Sequence, residues 1–265
     1  LLVNPQTFEK KIKKYKKYIC FNALHGPYGE DGNIQSIIKR NKIKYTHSGI
    51  MSSKLCFNKI QAKNIILKNK INTPKYLKVS TSKFNKDLLL KIKEKFKKFI
   101  IKPNKSGSSF GIKIVRNNKD LKILTNNLLN LKNELLNHKN LLIEELIDGI
   151  ELTVSTIKFS KEIKALAVTE IKSKNNFFDY NAKYSKGLAK KVLPANISQK
   201  NYEKCLQIAV KIHRLLGCNS IARSDFILNK KNNKVYFLET NTQPGLTQVS
   251  LVPQQAKFKN ISFEN

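Results

Sequence analysis

The stretch "VYFLETNTQPG", residues 235 to 245, decides the fold. Its apolar half predicts a strand, and alternation along a strand puts Glu239 and Asn241 on the same face. Upstream, "ARSDFIL" repeats the arrangement, with Arg223 and Asp225 two residues apart. If the two strands are neighbours, their carboxylate and amide oxygens form a hard-oxygen cluster suited to magnesium. A capped turn at a solvated edge is the alternative for each pair alone, but together the pairs favour a metal site formed by Asp225, Glu239 and Asn241.

A second site signal is the stretch "IIKPNKSGSSFG", residues 100 to 111. A lysine at the end of an apolar strand can place its ammonium on a phosphate, and the glycines and serines that follow offer donors to phosphate oxygens. Neither the Walker pattern nor the Rossmann pattern fits this loop. Taken alone, it leaves an ordinary hairpin tip open as the alternative.

The order of elements along the chain predicts a mixed α and β protein. Strand-like and helix-like stretches alternate without internal repeats, and helical spacing is clear over residues 58–70, 118–137 and 198–216. The run that begins at Asn140 predicts a buried strand that turns at Asp148 and Gly149. We therefore divide the chain into three predicted domains, with boundaries at residues 1–57, 58–140 and 141–265.

The net charge of +33 is the most unusual property of the composition. Arg40, Arg116, Arg214 and Arg223 are the arginines among 51 basic residues, so lysine predominates, beside abundant asparagine and isoleucine. This mixture indicates a bias toward adenine- and thymine-rich codons rather than a designed nucleic-acid surface, which would cluster arginines with aromatic residues. We expect no specific nucleic-acid partner and no membrane partner. A basic nucleic-acid-binding protein stays open as a hypothesis that rests on charge alone.

Cysteine usage indicates a reducing compartment. The four cysteines share no close spacing, and each lies among apolar residues, as reduced core cysteines do. We therefore expect a cytoplasmic protein. The chain opens on Leu1 and its only methionine is Met51, so we also expect the natural start to lie upstream.

Near the N-terminus, "KYICFNALHGPYGEDG", residues 17 to 32, raises a different question. The apolar run from Ile19 to Leu24 predicts a buried strand, and the glycines after His25 break any regular element. A tight turn before a helix is the simple interpretation of this loop. Loops at strand ends also carry binding chemistry, so His25 is a candidate site residue.

Taken together and in order, the motifs resemble those of the D-alanine:D-alanine ligases of the ATP-grasp superfamily. The motifs that carry the resemblance are "HGPYGEDG", "NKIQAK", "IIKPNKSGSSFG", "LIEELIDGIELTV", "FDYNAKY", "ARSDF", "LETNTQPGLT" and "SLVP". The resemblance runs from about Cys20 to the C-terminus. It implies an ATP-grasp fold, with central and C-terminal α+β domains after a remnant of a parallel-sheet domain, and the cofactors ATP and magnesium or manganese.

The resemblance also implies a nucleotide site between the central and C-terminal domains. In it, Lys59 and Lys102 bind phosphates, and Glu151 binds the ribose. Glu144 and the backbone from Glu145 to Ile147 face the adenine. The phosphate-covering loop contains Ser106, Gly107, Ser108 and Ser109. Because Glu144 ends a buried strand, an uncompensated carboxylate there would be costly, which favours a bound partner.

For the reaction, the resemblance implies that ATP activates one D-alanine as an acyl phosphate, which the amine of a second D-alanine attacks. The residues that carry over as catalytic or substrate-binding are His25, Ser108, Tyr184, Arg223, Gly245, Ser250 and Leu251. Residues 177–190 correspond to a mobile loop that excludes water, in which Lys183 meets the γ-phosphate and Tyr184 bonds Ser108. A homodimer is usual in the family.

One departure from the family pattern affects the expected activity. Nothing before Cys20 matches the family's Gly-Gly-x-Ser-x-Glu loop, whose glutamate binds the first D-alanine, so the chain resembles a ligase shortened at its N-terminus. A form that binds ATP without peptide synthesis is therefore one alternative. Another ATP-grasp ligase, joining a different acid to an amine, is the second.

Overall fold

The protein combines one small parallel sheet with two larger antiparallel sheets. The computed structural model describes residues 3–107, 111–135, 138–173 and 189–262. Helices and strands alternate along these ranges, as the sequence predicts. No helix found in them is both long and apolar enough to cross a membrane.

The N-terminal part surrounds the small parallel sheet. Its elements are α1 (Phe8–Ile12), β1 (Ile19–Cys20), α2 (Asn33–Arg40), β2 (Lys44–Tyr45) and α3 (Ile50–Phe57). Strands β1 and β2 pair in parallel, which confirms the predicted parallel-sheet remnant. The core of this N-terminal part consists of apolar side chains from α1, α2 and the loop before β2, namely Phe8, Ile12, Ile34, Ile38 and Ile43.

The prediction of a buried strand from Ile19 to Leu24 is wrong. Strand β1 has only two residues, and the side chains of Ile19 and Phe21 are 68% and 59% exposed. Successive side chains on a strand point to opposite faces, so Cys20 packs against the core while its neighbours point away. The two-stranded sheet is thus covered by described residues on one face.

Helix α4 (Lys59–Lys68) follows α3 after a break at Asn58. The Asn58 side chain accepts a hydrogen bond from the backbone N–H of Gln61, which caps the helix start. This agrees with the predicted helix over residues 58–70. The cap fixes Lys59 as the first residue of the helix, with its side chain free to reach beyond the helix end.

The four-stranded sheet has the order β3-β6-β4-β5 and is antiparallel. Its strands are β3 (Tyr76–Ser80), β4 (Phe99–Pro103), β5 (Lys113–Val115) and β6 (Asn140–Glu145). Helices cover one face, and these are α5 (Lys86–Phe96), α6 (Asn118–Asn126) and α7 (Leu128–Leu135). The predicted hairpin around the Ser/Gly loop is present as β4 and β5, whereas the predicted helix over residues 118–137 is two helices separated at Asn127.

The five-stranded sheet has the order β11-β10-β7-β8-β9. Its strands are β7 (Gly149–Phe159), β8 (Glu162–Ser173), β9 (Ala189–Val192), β10 (Ile221–Asn229) and β11 (Val235–Asn241). Helices α4 and α8 (Gln199–Leu215) pack on one face of this sheet, around Leu152, Phe226 and Phe237. Helix α9 (Leu251–Phe258) lies on the other face, where Gln255 bonds the backbone of Thr153.

The predicted domain boundary at residues 140 and 141 divides the four-stranded sheet, because β6 pairs with both β3 and β4. The remainder of the division stays a prediction. Strand β6 ends at Glu145, and four residues later β7 enters the five-stranded sheet. The short connection from Leu146 to Asp148 therefore joins the two sheets.

Candidate active site

A cavity of about 590 Å³ lies between the two antiparallel sheets. Each sheet contributes side chains from the face opposite its main hydrophobic core. All the described residues that the sequence assigns to nucleotide binding line this cavity, namely Lys59, Lys102, Ser106, Gly107, Glu144, Glu145, Ile147 and Glu151. Two of the predicted metal ligands, Asp225 and Glu239, line it from the opposite sheet.

A second cavity, of about 520 Å³, adjoins the first. The residues that the sequence assigns to amino-acid binding line it, namely His25, Arg223, Gly245, Ser250 and Leu251, and Asn241 does so as well. Four residues line both cavities: Lys59, Ser106, Gly107 and Glu239. The two cavities therefore meet at the start of α4, the Ser/Gly loop and the end of β11.

Lys59 occupies the junction of the cavities. Its Nζ lies 2.6 Å from the backbone oxygen of Ser106 and 3.3 Å from Oε2 of Glu239. The ammonium thus links the Ser/Gly loop to the five-stranded sheet. A cation held between a loop and a carboxylate is well placed to meet an anionic ligand that enters from either cavity.

On the four-stranded sheet, Glu144 lies between two lysines. Its Oε1 is 2.6 Å from Nζ of Lys63, and its Oε2 forms an ion pair with Lys102. Two ammonium groups of the protein itself compensate the Glu144 carboxylate, so its burial alone does not require the bound partner that the sequence argument favours. Burial raises the pKa of the Glu144 carboxyl, but the charges of Lys102 and Lys63 outweigh that effect, so its pKa is lowered.

Lys63 is a site residue that sequence reasoning missed. Burial lowers its pKa to about 8, although the negative charge of Glu144 opposes the shift. Burial acts on Lys102 in the same direction, but there the charges of Glu144 and Glu239 prevail and the pKa is raised. Its position in the sequence could have identified it. Lys63 lies between Ile60 and Ile66 on the apolar face of α4, where a lysine is unusual.

On the five-stranded sheet, β10 and β11 are antiparallel neighbours, as the sequence argument requires. Asp225 pairs with Glu239 across the ladder, and Arg223 pairs with Asn241. The next pair is Phe226 with Phe237, so Leu238 is an extra residue and forms a bulge. The four polar side chains thus lie on two rungs of one sheet, separated by the pair Ser224 and Thr240.

The bulge decides which way Glu239 points. In a regular strand, residues 235, 237, 239 and 241 share one face, and Phe237 belongs to the buried core. Because Leu238 adds one residue, the alternation shifts, and Leu238 and Glu239 both line the larger cavity. The sequence predicts correctly that Glu239 and Asn241 share a face, but not that this face is opposite to that of Phe237.

Asp225 has three polar contacts. Arg223 donates to both carboxylate oxygens at 3.0 Å, and the Thr153 hydroxyl donates to Oδ1 at 2.6 Å. Burial lowers the pKa of the Arg223 guanidinium, but the negative charge of Asp225 outweighs that effect, so the pKa is raised. This bidentate pair holds a cation and an anion together at the edge of the amino-acid cavity.

The donor set on β10 and β11 fits a hard divalent cation, because two carboxylates and one amide oxygen are ligands that Mg²⁺ prefers. Within the described ranges, no three His, Cys, Asp or Glu side chains come together, either at this site or at another. Two carboxylates alone make a partial site, whose remaining ligands would be water and substrate phosphates.

His25 lies beside an acidic partner that the sequence analysis did not single out. Its Nδ1 is 3.5 Å from Oε1 of Glu30, and this contact raises the pKa of His25 against the opposing effect of burial. Glu30 also lies close to the Ser/Gly loop, since a Cβ added to Gly107 would be 3.1 Å from its Oε2. The signal was present in "HGPYGEDG", where an acid follows the histidine by five residues.

Gly245 and Ser250 close the far end of the amino-acid cavity. A Cβ on Gly245 would lie 2.9 Å from Oγ of Ser250, so no larger residue fits without movement. Ser250 immediately precedes α9, and Leu251 is the first residue of that helix. The backbone N–H groups at a helix start attract anions, which suits a carboxylate in this cavity.

The remaining predicted residues are Ser108, Ser109, Lys183 and Tyr184. They lie outside the described residues, so their assignments stay predictions. The described part of the Ser/Gly loop ends at Gly107, at the junction of the two cavities.

The sequence is similar to known ligases along almost its whole length. The model of the D-ala D-ala ligase C-terminus matches residues 65–265. A D-alanine--D-alanine ligase of Pelagibacter ubique is 42% identical over 261 residues, which cover 97% of this chain and 81% of the relative. One of Wolbachia pipientis wMel is 41% identical over 255 residues, covering 96% of this chain and 76% of the relative.

The structure is similar to a solved ligase. The D-alanine--D-alanine ligase from Bacillus anthracis complexed with ATP has a TM-score of 0.78 at 27% identity, covering 99% of this chain and 80% of that chain. This likeness confirms the predicted ATP-grasp fold. On the family match and these identities, the chain belongs to the D-alanine–D-alanine ligase family.

Proposed function

We propose that this chain joins two D-alanine molecules to D-alanyl-D-alanine with ATP as the phosphoryl donor. D-Alanyl-D-alanine is used to make peptidoglycan precursors, so the chain would act in cell wall synthesis. One observation carries the proposal: the nucleotide-like and amino-acid-like cavities meet at Lys59, Ser106, Gly107 and Glu239. A terminal phosphate at this junction would lie within reach of a carboxylate in the second cavity.

The larger cavity would bind ATP with its phosphates toward the junction. Lys59 and Lys102 supply positive charge there, and the Ser106–Gly107 backbone supplies donors. At the other end, Glu151 would accept hydrogen bonds from the ribose. The connection between the sheets, with Glu144 to Ile147, would face the adenine, which is supported by its position in the cavity lining.

A divalent cation, magnesium or manganese, would be held by Asp225, Glu239 and Asn241. When bound, it neutralises charge on the phosphates and fixes their orientation. The support for this assignment is the chemistry of the donor set and its place on two paired strands, where Glu239 is opposite Asp225 and Asn241 is two residues further along β11.

The reaction would proceed in two displacements. A carboxylate oxygen of the first D-alanine attacks the γ-phosphorus, the bond to the β-phosphate oxygen breaks, and ADP leaves. The amine of the second D-alanine then attacks the acyl carbon, the bond to the phosphate oxygen breaks, and the amine loses a proton. Because no enzyme nucleophile takes part, catalysis rests on alignment and on neutralising the developing charge.

In the amino-acid cavity, Arg223 and the Gly245 N–H would stabilise the tetrahedral oxyanion. Ser250 and the backbone at Leu251 would bind the carboxylate of the second D-alanine, which the start of α9 supports. His25, paired with Glu30, would lie near the first D-alanine. These assignments follow the lining of the second cavity.

A loop over residues 177–190 would exclude water, because an acyl phosphate hydrolyses if water reaches it. Lys183 and Tyr184 would meet the γ-phosphate and Ser108, respectively. This loop, the homodimer and the cytoplasmic location stay predictions.

The proposal is tested by following ADP release from ATP and magnesium with and without D-alanine. We expect release that depends on D-alanine, with D-alanyl-D-alanine detected by mass spectrometry, and none with L-alanine. ADP release at the same rate with and without D-alanine, or ATP consumption without dipeptide formation, would reject the proposed ligase activity.

The acyl phosphate is tested separately with D-alanine whose carboxylate carries ¹⁸O. Attack of that carboxylate on phosphorus transfers one labelled oxygen to the inorganic phosphate that is released. Direct formation of the peptide bond by another route would leave the phosphate unlabelled. Mass spectrometry of the phosphate therefore decides between the two routes.

A further inference from the structure

Lys63 is a fully buried lysine that lines neither cavity. Its Nζ donates to the Thr73 hydroxyl at 2.7 Å and to the backbone oxygen of Phe237 at 3.3 Å, and lies 5.7 Å from the centre of the Phe237 ring. Its ion pair with Glu144 Oε1 spans 2.6 Å. The Lys63 side chain is 0% exposed, so these contacts enclose its charge away from any ligand.

The geometry of Glu144 separates its two partners. One carboxylate oxygen faces Lys63 and the other faces Lys102, which lines the nucleotide cavity. The exposed fractions of the side chains are 0% for Lys63, 1% for Glu144 and 10% for Lys102, so solvent exposure increases toward the cavity. One carboxylate thus shares its charge between a lysine behind it and a lysine in front of it.

The sharing affects how firmly Lys102 is held. Charged hydrogen bonds in a dry site are strong, and a buried carboxylate with a single cationic partner would keep that partner. Lys63 takes up part of the Glu144 charge, so this carboxylate does not neutralise Lys102 alone, and Glu239 and Glu151 act on Lys102 as well. An anionic group that enters beside Lys102 therefore meets an ammonium whose nearest carboxylate is shared with a second lysine.

We propose that Lys63 is a positioning residue that neutralises Glu144 from behind and so leaves the Lys102 ammonium able to bind the nucleotide phosphates. The inference rests on the proposed function in one respect, that the ligand is ATP. Lys63 would act on phosphate binding without touching the nucleotide. A purely structural lysine would instead support the core and influence adenosine and ATP binding alike.

The test is a double-mutant cycle on the full chain with Lys63→Met, Lys102→Met and the double variant. Affinities for ATP and for adenosine are measured by isothermal titration calorimetry. We expect Lys63→Met and Lys102→Met each to weaken ATP binding by about tenfold, the size of a lost charged hydrogen bond. The double variant should be no weaker than Lys102→Met alone. Because Glu144 would also face the adenine, adenosine affinity should fall too, but by several-fold less than ATP affinity.

Lys68→Met is the matched control, because Lys68 is an exposed lysine on the same helix. It should leave both affinities unchanged. If Lys63→Met does not fold, as judged by circular dichroism, Lys63→Gln enters the same cycle, since its amide keeps a donor for Glu144 without the charge.

The outcomes separate the inference from the proposed function. A wild-type chain that does not bind ATP rejects both. A wild-type chain that binds ATP, with equal losses for ATP and adenosine in the Lys63 variant, reduces Lys63 to a core residue and overturns the inference alone. Additive losses in the double variant overturn it too, because they show that Lys63 does not act through Lys102.

Discussion

The two sheets that enclose the larger cavity present opposite charges to it. The four-stranded sheet offers the ammonium of Lys102, backed by Glu144, whereas the five-stranded sheet offers Asp225 and Glu239. One side thus suits an anion and the other a cation. The comparison teaches that each sheet contains both kinds of charge but differs in what it offers a ligand, a lysine ammonium on one side and two carboxylates on the other, which a triphosphate with its cation can bridge.

The two sides also differ in burial. The Glu144 cluster is almost dry, while the side chains of Arg223 and Asp225 are 16% and 15% exposed. Breaking a buried ion pair costs more than breaking a partly hydrated one, because the remaining charge has no water to replace its partner. Substitutions on the four-stranded side should therefore affect both stability and binding, and those on the five-stranded side mainly function.

The largest effect should come from Glu239→Gln on the five-stranded side. The near-isosteric change keeps packing but removes one anionic ligand, so we expect turnover to fall by at least about 100-fold and metal affinity to weaken. The coupled ADP-release assay and a magnesium titration measure both. Glu203→Gln, an exposed change on α8, serves as the control. Unchanged turnover would remove Glu239 from the mechanism and leave Asp225 as the only carboxylate of the proposed metal site.

A smaller effect should follow from Thr153→Val on the neighbouring strand. Valine keeps the shape but loses the hydroxyl that donates to Asp225 at 2.6 Å, so the carboxylate is held by Arg223 alone. We expect the magnesium concentration at half-maximal rate to rise by about threefold to tenfold, in line with one hydrogen bond. Thr125→Val, on α6 and outside the lining of both cavities, should leave this concentration unchanged. If both variants behave alike, the orientation of Asp225 does not depend on Thr153.

The smallest effect should appear at the His25–Glu30 pair, which belongs to neither sheet. Glu30 raises the pKa of His25, so Glu30→Gln should move that pKa down toward the ordinary value of 6.5. The measurement is an NMR titration of the imidazole protons, with His138 as the internal reference. An unchanged pKa would show that the contact at 3.5 Å is too weak or too hydrated to matter.

The sign of the linked stability effect follows from the same pKa. Because folding raises the pKa of His25, the paired imidazolium stabilises the fold fully below the unfolded pKa, near 6.5. This contribution is lost as pH rises through the folded pKa. The wild-type chain should therefore exceed Glu30→Gln in stability below about pH 6.5 and lose this advantage as pH rises through the folded pKa. The difference should be small, since His25 is about half exposed.

Much of the five-stranded side could be predicted from sequence. Paired polar residues two apart, such as Arg223 with Asp225, mark the less buried face of a strand, and β10 follows this alternation throughout. The bulge at Leu238 could not be predicted, because alternation alone assigns Glu239 to the face of Phe237. Its position depends on register with another strand, which local sequence does not encode.

The four-stranded side was less accessible to sequence reasoning. The compensation of Glu144 comes from Lys63, a residue far away in the sequence and on a different element. A lysine within an apolar helix face signals a buried charge but does not name its partner. The apolar run near the N-terminus predicts burial of Ile19 and Phe21, yet both are exposed. Strand β1 has only two residues, and of these Cys20 alone packs against the core.

The bulge in β11 has a consequence for how firmly the acidic ligands are held. Phe237 is fully enclosed in the core only two residues before Glu239, so the carboxylate has no flexible tether. A ligand on a mobile loop would lose conformational entropy each time a cation bound. Here that loss occurs once, when the chain folds, and it need not recur in each catalytic cycle.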